Sequence, residues 1–425
     1  MYPYFVLSLN ATSVRPLCIR LLVFMEKEFF TEQIHINELL RLLNWVVKEC
    51  LTDEGLEPIT YDDLVYFANI EDSMNVRYRY FSIRKKSGGL RKIHSPSRRL
   101  MPILKALSFI LQRTVKLHES AMGFVLNKSI VENAKKHQGQ NFVFNIDLKD
   151  FFYSFDKEKV KTAFMNEPFC LRDEKEPVAE LLSEICTHPI KVGGRFKQVL
   201  PQGSPASPIL SNILFYQLDQ HLSMLAEKYQ ANYSRYADDI TFSSTRNIFT
   251  NKHGNIESNF ISELKKILAK GGFKINPKKI RLQKKTSRQV VTGLVVNQKI
   301  NVHRNFIKQI RMWLYYWERY GYPKAQSIFF CDYKEKTKNK KNKKRKVSFS
   351  DGDYYGVYYG DFETGYYYVD AETELMDVLR GKLSFLKMVK GKNDTTYLKL
   401  KERFDNLCAK TKENNFNCPK NNSVD

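Results

Sequence analysis

An α+β fold built around an antiparallel sheet is what this sequence predicts, and three observations carry that prediction. Runs with strand-like alternation recur at 141–147, 233–243 and 281–297. Stretches with helical spacing of apolar residues, 209–228 and 255–271, lie between them. The runs on either side of Tyr236-Ala237-Asp238-Asp239 read as a hairpin with the two acids at its turn. Strands interleaved with helices and joined by a central hairpin give an α+β architecture.

The remaining elements follow in order. Residues 26–67 read as helical, with Leu39, Leu40, Leu43, Val46 and Val47 on one stripe. Residues 76–93 alternate and turn at Ser87-Gly88-Gly89, a second hairpin. Helical spacing returns over 100–118, and again after Val302, where Ile307, Ile310, Trp313, Leu314 and Trp317 share a stripe. That pattern breaks at 330–372, first in a run of Lys, Asn and Arg and then in a Tyr- and Gly-rich stretch. It resumes at Leu375, continues through Leu379, Leu383, Leu386 and Val389 to Phe404, and ends in a polar tail predicted to be disordered.

With 425 residues the chain suits two or three subdomains. Its 69 Lys plus Arg against 46 acids leave a net charge of +23. Such an excess concentrates polyanions, so nucleic acid is the expected partner. No apolar run approaches the roughly 20 residues of a bilayer span, which argues against a membrane. The aromatic start is interrupted by Pro3, Asn10, Arg15, Pro16 and Arg20 and does not read as a secretory signal; Met25 is a second candidate initiator. Seven scattered cysteines without a CxxC pair support neither zinc nor a disulfide framework, and a reduced, cytoplasmic protein is expected.

Adjacent carboxylates repel, so a turn that crowds Asp238 against Asp239 suits a bound cation, although an Asp-Asp pair by itself is more often a solvated turn. Asp147 changes the balance. It closes the apolar run Phe142-Val143-Phe144-Asn145-Ile146-Asp147, and a buried strand there delivers it beside the hairpin. Three converging carboxylates fit two Mg²⁺ ions about 3.5–4 Å apart, an arrangement suited to displacement at phosphorus.

The order of these motifs resembles that of a reverse transcriptase, and within that group a bacterial retron reverse transcriptase. Asp147 with Phe151-Phe152 resembles polymerase motif A, Leu200-Pro201-Gln202-Gly203-Ser204-Pro205 motif B, and Tyr236-Ala237-Asp238-Asp239 motif C. Gly272-Phe273-Lys274-Ile275-Asn276-Pro277-Lys278-Lys279 resembles motif D, and the segment from Ile83 to Ile93 the fingers hairpin. Asn133-Ala134-Lys135-Lys136-His137 and Val291-Thr292-Gly293 are similar to two retron signatures.

The resemblance implies a right hand. Residues 1–75 form an N-terminal helical extension, 76–140 the fingers, and 141–300 the palm with interleaved fingers segments. Residues 301–412 form the thumb with its insertion at 330–372, and 413–425 the tail. Asp147, Asp238 and Asp239 become catalytic metal ligands for two Mg²⁺, with Mn²⁺ as a substitute. Lys85, Arg91, Gln202 and Gly203 become nucleotide contacts. Phe152 matches the side chain that excludes a ribose 2′-hydroxyl, or else it is a core aromatic like Phe151. Lys278 becomes a donor near pyrophosphate, with Lys279 an equal candidate; Asp150 is either a further metal neighbour or surface.

Asn133, His137, Val291, Thr292 and Gly293 become contacts to a structured RNA. Lys340, Lys341, Lys343, Lys344 and Arg345 lie in the basic run, which serves either solubility or RNA binding. Such an enzyme takes dNTPs, binds a noncoding RNA template-primer, primes from a guanosine 2′-hydroxyl and makes branched RNA-linked DNA (msDNA). It works alongside an effector protein encoded nearby in anti-phage defence. The alternatives are an intron-derived or other defence-associated reverse transcriptase, and a non-catalytic RNA-binding protein.

Overall fold

A computed structural model describes residues 36–84, 90–341 and 374–416, the side chains of 53, 84, 332–341 and 412–416 excepted. Helices α1 (Ile36–Cys50), α2 (Tyr61–Ala68) and α3 (Ile70–Arg77) lead into strands β1 (Tyr78–Arg84) and β2 (Leu90–Pro96). Helices α4 (Leu100–Thr114) and α5 (Ile130–Lys135) precede strand β3 (Phe142–Asp147). Then come α6 (Lys157–Met165), α7 (Glu176–Cys186), β4 (His188–Val192), β5 (Arg195–Val199), α8 (Ser207–Leu214) and α9 (Tyr216–Lys228). Strands β6 (Asn232–Tyr236) and β7 (Asp239–Ser244), helix α10 (Asn259–Lys270) and strands β8 (Arg281–Lys284), β9 (Val290–Val291) and β10 (Leu294–Val295) follow. Helices α11 (Arg304–Tyr320), α12 (Tyr322–Lys341), α13 (Leu375–Lys390) and α14 (Thr395–Phe416) complete the order. The chain divides into two compact units, Met1–Ser129 with Phe144–Leu282, and Ile130–Val143 with Gln283–Asp425.

The first unit is α+β, as the alternation predicts. Its main sheet has the order β6-β7-β3-β8, and β1–β2 and β4–β5 form separate antiparallel hairpins. The stretch that reads as helical, 26–67, lies outside the described residues up to 35; beyond that it forms two helices, α1 and α2. Gly55, at φ 57°, takes the left-handed conformation that ends a short 3₁₀ turn. Thr60 then starts α2 afresh through a capping box, its hydroxyl accepting from Asp63 N–H at 3.0 Å while the Asp63 carboxylate accepts from Thr60 N–H at 3.0 Å. Phe151, Phe155, Phe215 and Phe273 are all buried against one another, Phe215 and Phe273 only 4.9 Å apart between ring centroids. Each such ring contributes about 1.5–3 kcal/mol through burial, and together they fasten the loop after β3 to the segment after α10.

Under the β6–β7 hairpin lies an ion pair with both side chains fully buried. Arg235 Nε donates to Asp219 Oδ1 at 2.9 Å and Nη2 to Oδ2 at 2.6 Å. Tyr233 Oη donates to the same carboxylate at 2.6 Å, and Arg235 Nη1 donates to Asn212 Oδ1 at 3.0 Å. The Phe215 ring covers the guanidinium at 4.3 Å. Helices α8 and α9 are thereby tied to the hairpin by charge as well as by packing.

In the second unit the apolar stripe of α11 packs with α13 and α14 in one core, where Trp313, Trp317, Leu383, Leu386 and Phe404 are buried. The strand expected over 281–297 is broken into three short pieces. Val291 pairs with Leu294 across a two-residue turn, Thr292 at φ 45° and Gly293 at φ 82°. Both residues at positive φ make the turn type that matches strand twist. Helix α12 continues past 330 through Lys340 and Lys341; the rest of the expected insertion, with Lys343, Lys344 and Arg345, falls outside the described residues. Helix α14 likewise runs past 413, where the tail was expected to begin. Among the described residues no helix is long and apolar enough to cross a membrane.

Two expectations follow. Burial, reinforced by Lys136, lowers the His137 pKa to about 3, whereas an unfolded histidine titrates near 6.5. The folded state then holds fewer protons than the unfolded one in that window, so stability present above pH 6.5 is lost as pH falls towards 3. Tm should drop between about pH 7.5 and about pH 5, and the drop should shrink in His137→Phe; an unchanged drop removes His137 from the account. Asp219→Ala leaves Arg235 buried without its counter-ion and should cost about 3–5 kcal/mol. Denaturant unfolding with a loss below about 1 kcal/mol would mean the pair carries no such role.

Candidate active site

Tyr236 pairs with Asp239, so the β6–β7 turn consists of Ala237 and Asp238 alone. Ala237 sits at φ 55°, a conformation that costs a residue with a Cβ about 1 kcal/mol or more. Arg235 opposes that strain from below, its Nη1 donating to the Ala237 carbonyl at 3.4 Å. Gly123 opposes it from the side. A Cβ there would stand 2.9 Å from Ala237 N, and the Gly123 carbonyl accepts from Asn212 Nδ2 at 2.8 Å. Only a residue without a side chain allows the chain to lie so close to the turn.

Strand β3 brings Asp147 to this turn. Leu148 N–H donates to the Asp238 carbonyl at 2.9 Å, locking the residue after one acid onto the backbone of the other. On the opposite side, Asn276 N–H donates to Asp147 O at 2.8 Å and its Nδ2 to Asp147 Oδ1 at 3.2 Å. Asn276 also caps the 3₁₀ turn Pro277–Lys279, and the Lys279 ammonium forms an ion pair with Asp147 Oδ2. Asp147 is buried. Burial raises the pKa of Asp238 and the charge of Asp147 raises it further, while Lys279 and Arg91 act against them.

Asp147 and Asp238 are therefore brought together, whereas Asp239 stands exposed at the start of β7. Among the described residues no three His, Cys, Asp or Glu lie close enough to hold a metal ion. The donor set still fits a hard divalent cation. Asp147 and Asp238 offer carboxylate oxygens that repel one another, and a lysine ammonium stands where a cation is favoured.

Arg91, on β2 opposite Ile83, faces the acids closely enough to act on Asp238. Lys85 lies outside the described residues. Of the adjacent phenylalanines, Phe151 is in the aromatic core and Phe152 is half-buried; the segment is a 3₁₀ turn, Phe152–Ser154, so strand alternation does not set their directions. Asp150 is exposed at φ 51°. The Gln202-Gly203 turn is gripped by β2: His94 N–H donates to Gln202 O at 2.8 Å, and a Cβ on Gly203, at φ 122°, would lie 2.5 Å from His94 O. Lys278 is exposed, and it is Lys279 that meets Asp147.

The two signature segments, more than a hundred residues apart, meet in the second unit. Asn133 Nδ2 donates to Thr292 Oγ1 at 3.3 Å, and that hydroxyl donates to Ile130 O at 3.4 Å. Asn133, His137 and Val291 are buried, so their side chains are not presented to a partner, and Asn133 holds the turn through Thr292. Sequence reasoning did not single out Arg235, Asp219, Asn212, Gly123 or Asn276. Arg235 beside the acid motif carried the one available signal, since a charge between strand residues needs a partner.

A family model described as reverse transcriptase (RNA-dependent DNA polymerase) matches residues 83–302. The retron Mx162 reverse transcriptase of Myxococcus xanthus is 35% identical over 55% of this chain and 51% of that protein. The retron Ec86 reverse transcriptase of Escherichia coli is 34% identical over 55% of this chain and 68% of that protein. The chain thus spans about half the length of the Myxococcus relative. Among solved structures, telomerase from Candida albicans with a fragment of telomeric RNA aligns at TM-score 0.38 and 12% identity, over 56% of this chain and 50% of that one. The matched segment contains every element of the acid site, and the chain belongs to the reverse transcriptase family, in its bacterial retron group, with that family's right-hand fold.

Proposed function

We propose that the chain is an RNA-directed DNA polymerase that copies part of its own structured noncoding RNA, primes from a guanosine 2′-hydroxyl and leaves a branched RNA-linked DNA. The observation that carries this reading is the backbone bond from Leu148 to Asp238, which ties the residue after Asp147 to the turn that bears Asp238. Asp147 and Asp238, with Asp239 at the rim, would hold Mg²⁺, or Mn²⁺ in its place. When bound, the ions supply a lowered pKa for the attacking hydroxyl and neutralise charge on the triphosphate. The chain's own groups do the rest. Arg91 contacts the triphosphate, the Gln202-Gly203 turn packs on the base pair, and Phe152 excludes a ribose 2′-hydroxyl. Lys279, or Lys278 beside it, supplies positive charge and a proton near the leaving pyrophosphate.

In this reading the first unit supplies fingers and palm and the second the thumb. The Thr292-Gly293 turn and the basic run recognise the cognate RNA, and the net charge of +23 supports a large polyanion. A role in anti-phage defence, with a separately encoded effector, and a cytoplasmic setting complete the proposal.

Asp238→Asn removes a ligand charge without changing shape. DNA synthesis on the cognate RNA should fall about a thousandfold or more, the several kcal/mol a metal supplies, with RNA affinity nearly unchanged. Synthesis within about tenfold of the parent would sink the assignment. Phe152→Ala should admit ribonucleotides, raising single-nucleotide insertion of rNTP relative to dNTP by about tenfold or more. Unaltered discrimination would return Phe152 to the core.

A further inference from the structure

Buried side-chain polar atoms without a hydrogen-bond partner are few among the described residues, and all but Gln289 Oε1 belong to one cluster. These are Arg77 Nε, Tyr78 Oη, His94 Nδ1, His188 Nδ1 and Ser204 Oγ. Their side chains belong to residues between 0% and 9% exposed. The Tyr78 and His188 rings are 4.8 Å apart, those of His94 and His188 6.0 Å, and the Tyr78 and Ser204 hydroxyls are neighbours. Arg77 is fixed around the cluster by its other nitrogens, Nη2 donating to Ile185 O at 3.1 Å and Thr187 O at 3.0 Å. The five groups come from β1 and its approach, β2, β4 and the turn before α8.

Folded interiors rarely leave so many polar atoms unpaired in one place, and a polar site of this kind normally holds water. We infer that the cluster is a buried water site that joins the β1–β2 hairpin to the Gln202-Gly203-Ser204 turn. The donors and acceptors match water. Arg77 Nε–H and Tyr78 O–H donate to it, and the two Nδ1 atoms accept from it when each imidazole carries its proton on Nε2. One water makes about three bonds and at most four, so the five groups call for at least two molecules. The same strand grips the turn through its backbone, by the His94–Gln202 bond of 2.8 Å and the contact of His94 O with Gly203. The His94 ring also faces Tyr153, next to Phe152, at 6.4 Å. The waters therefore set the position of the turn that packs on the nucleotide. This consequence rests on the proposed polymerase function, whereas the presence of water does not.

A crystal structure of the full chain at about 2 Å or better tests the site itself. Density for two waters within hydrogen-bond distance of His94 Nδ1 and His188 Nδ1 is expected; a dry cluster, with the Tyr78 and Ser204 hydroxyls bonded to each other, would overturn it. Single-nucleotide insertion tests the consequence. His188→Phe keeps a ring but removes the acceptor, and Ser204→Ala removes the hydroxyl nearest the turn with little change in volume. Each should raise KM for dNTP by about tenfold with kcat within about twofold, the scale of a lost buried hydrogen bond. An unchanged KM in the folded Ser204→Ala protein would disconnect the waters from the turn. Failure of all polymerisation in the unaltered chain would instead refute the function and leave the crystallographic result to decide the site.

Discussion

The buried pair of Arg235 and Asp219 is the interaction on which the acid hairpin depends, because its guanidinium reaches both the helices beneath and the turn above. Taking two charges out of water is costly, and an apolar pair of equal volume is often no less stable. What an apolar pair cannot do is donate to the Ala237 carbonyl while bonding Asn212 and Asp219. That bond holds an alanine at φ 55°, where glycine is the usual occupant. With glycine the turn would sample more conformations. With alanine, braced by Arg235 below and Gly123 beside it, Asp238 has a fixed direction. The desolvation cost is offset by geometric definition at the residue that needs it.

A second constraint is electrostatic. Asp147 and Asp238 lie close together, and burial and the charge of Asp147 both raise the pKa of Asp238. Lys279, paired with Asp147, and Arg91, on β2, oppose this by their charge. Lys279 is about half exposed, so its contact is one that a more highly charged cation could displace. The ammonium is thus a half-exposed counter-ion to Asp147.

Much of this was legible in the residues. Alternation found the hairpins on both sides of Asp238 and at the fingers, and the apolar run ending in Asp147 was rightly a buried strand. Short-range punctuation was harder. Within the helical stretch, the boundary between α1 and α2 falls at Gly55 and the Thr60–Asp63 box. The 281–297 stretch is interrupted after Lys284 and again at Thr292, which adopts a positive φ that its β-branched side chain disfavours, so propensity pointed the wrong way there. Side-chain partners were the least legible. Lys278 and Lys279 are equivalent as letters, and only the capped turn begun by Asn276 decides which one faces Asp147.

The strained threonine has its own logic. A Thr at φ 45° persists only when its surroundings over-determine it. Here the hydroxyl is held by Asn133 and by the Ile130 carbonyl, both on the segment of α5, while Val291 anchors the turn in the core. The segment around Asn133 and His137 and the segment around Thr292 are thus two halves of one small structure. Neither half explains itself alone, since a buried Asn needs an acceptor and a strained Thr needs a brace. Asn133, His137 and Val291 are buried, and through the Asn133 bond to Thr292 this small structure fixes the backbone geometry of the turn.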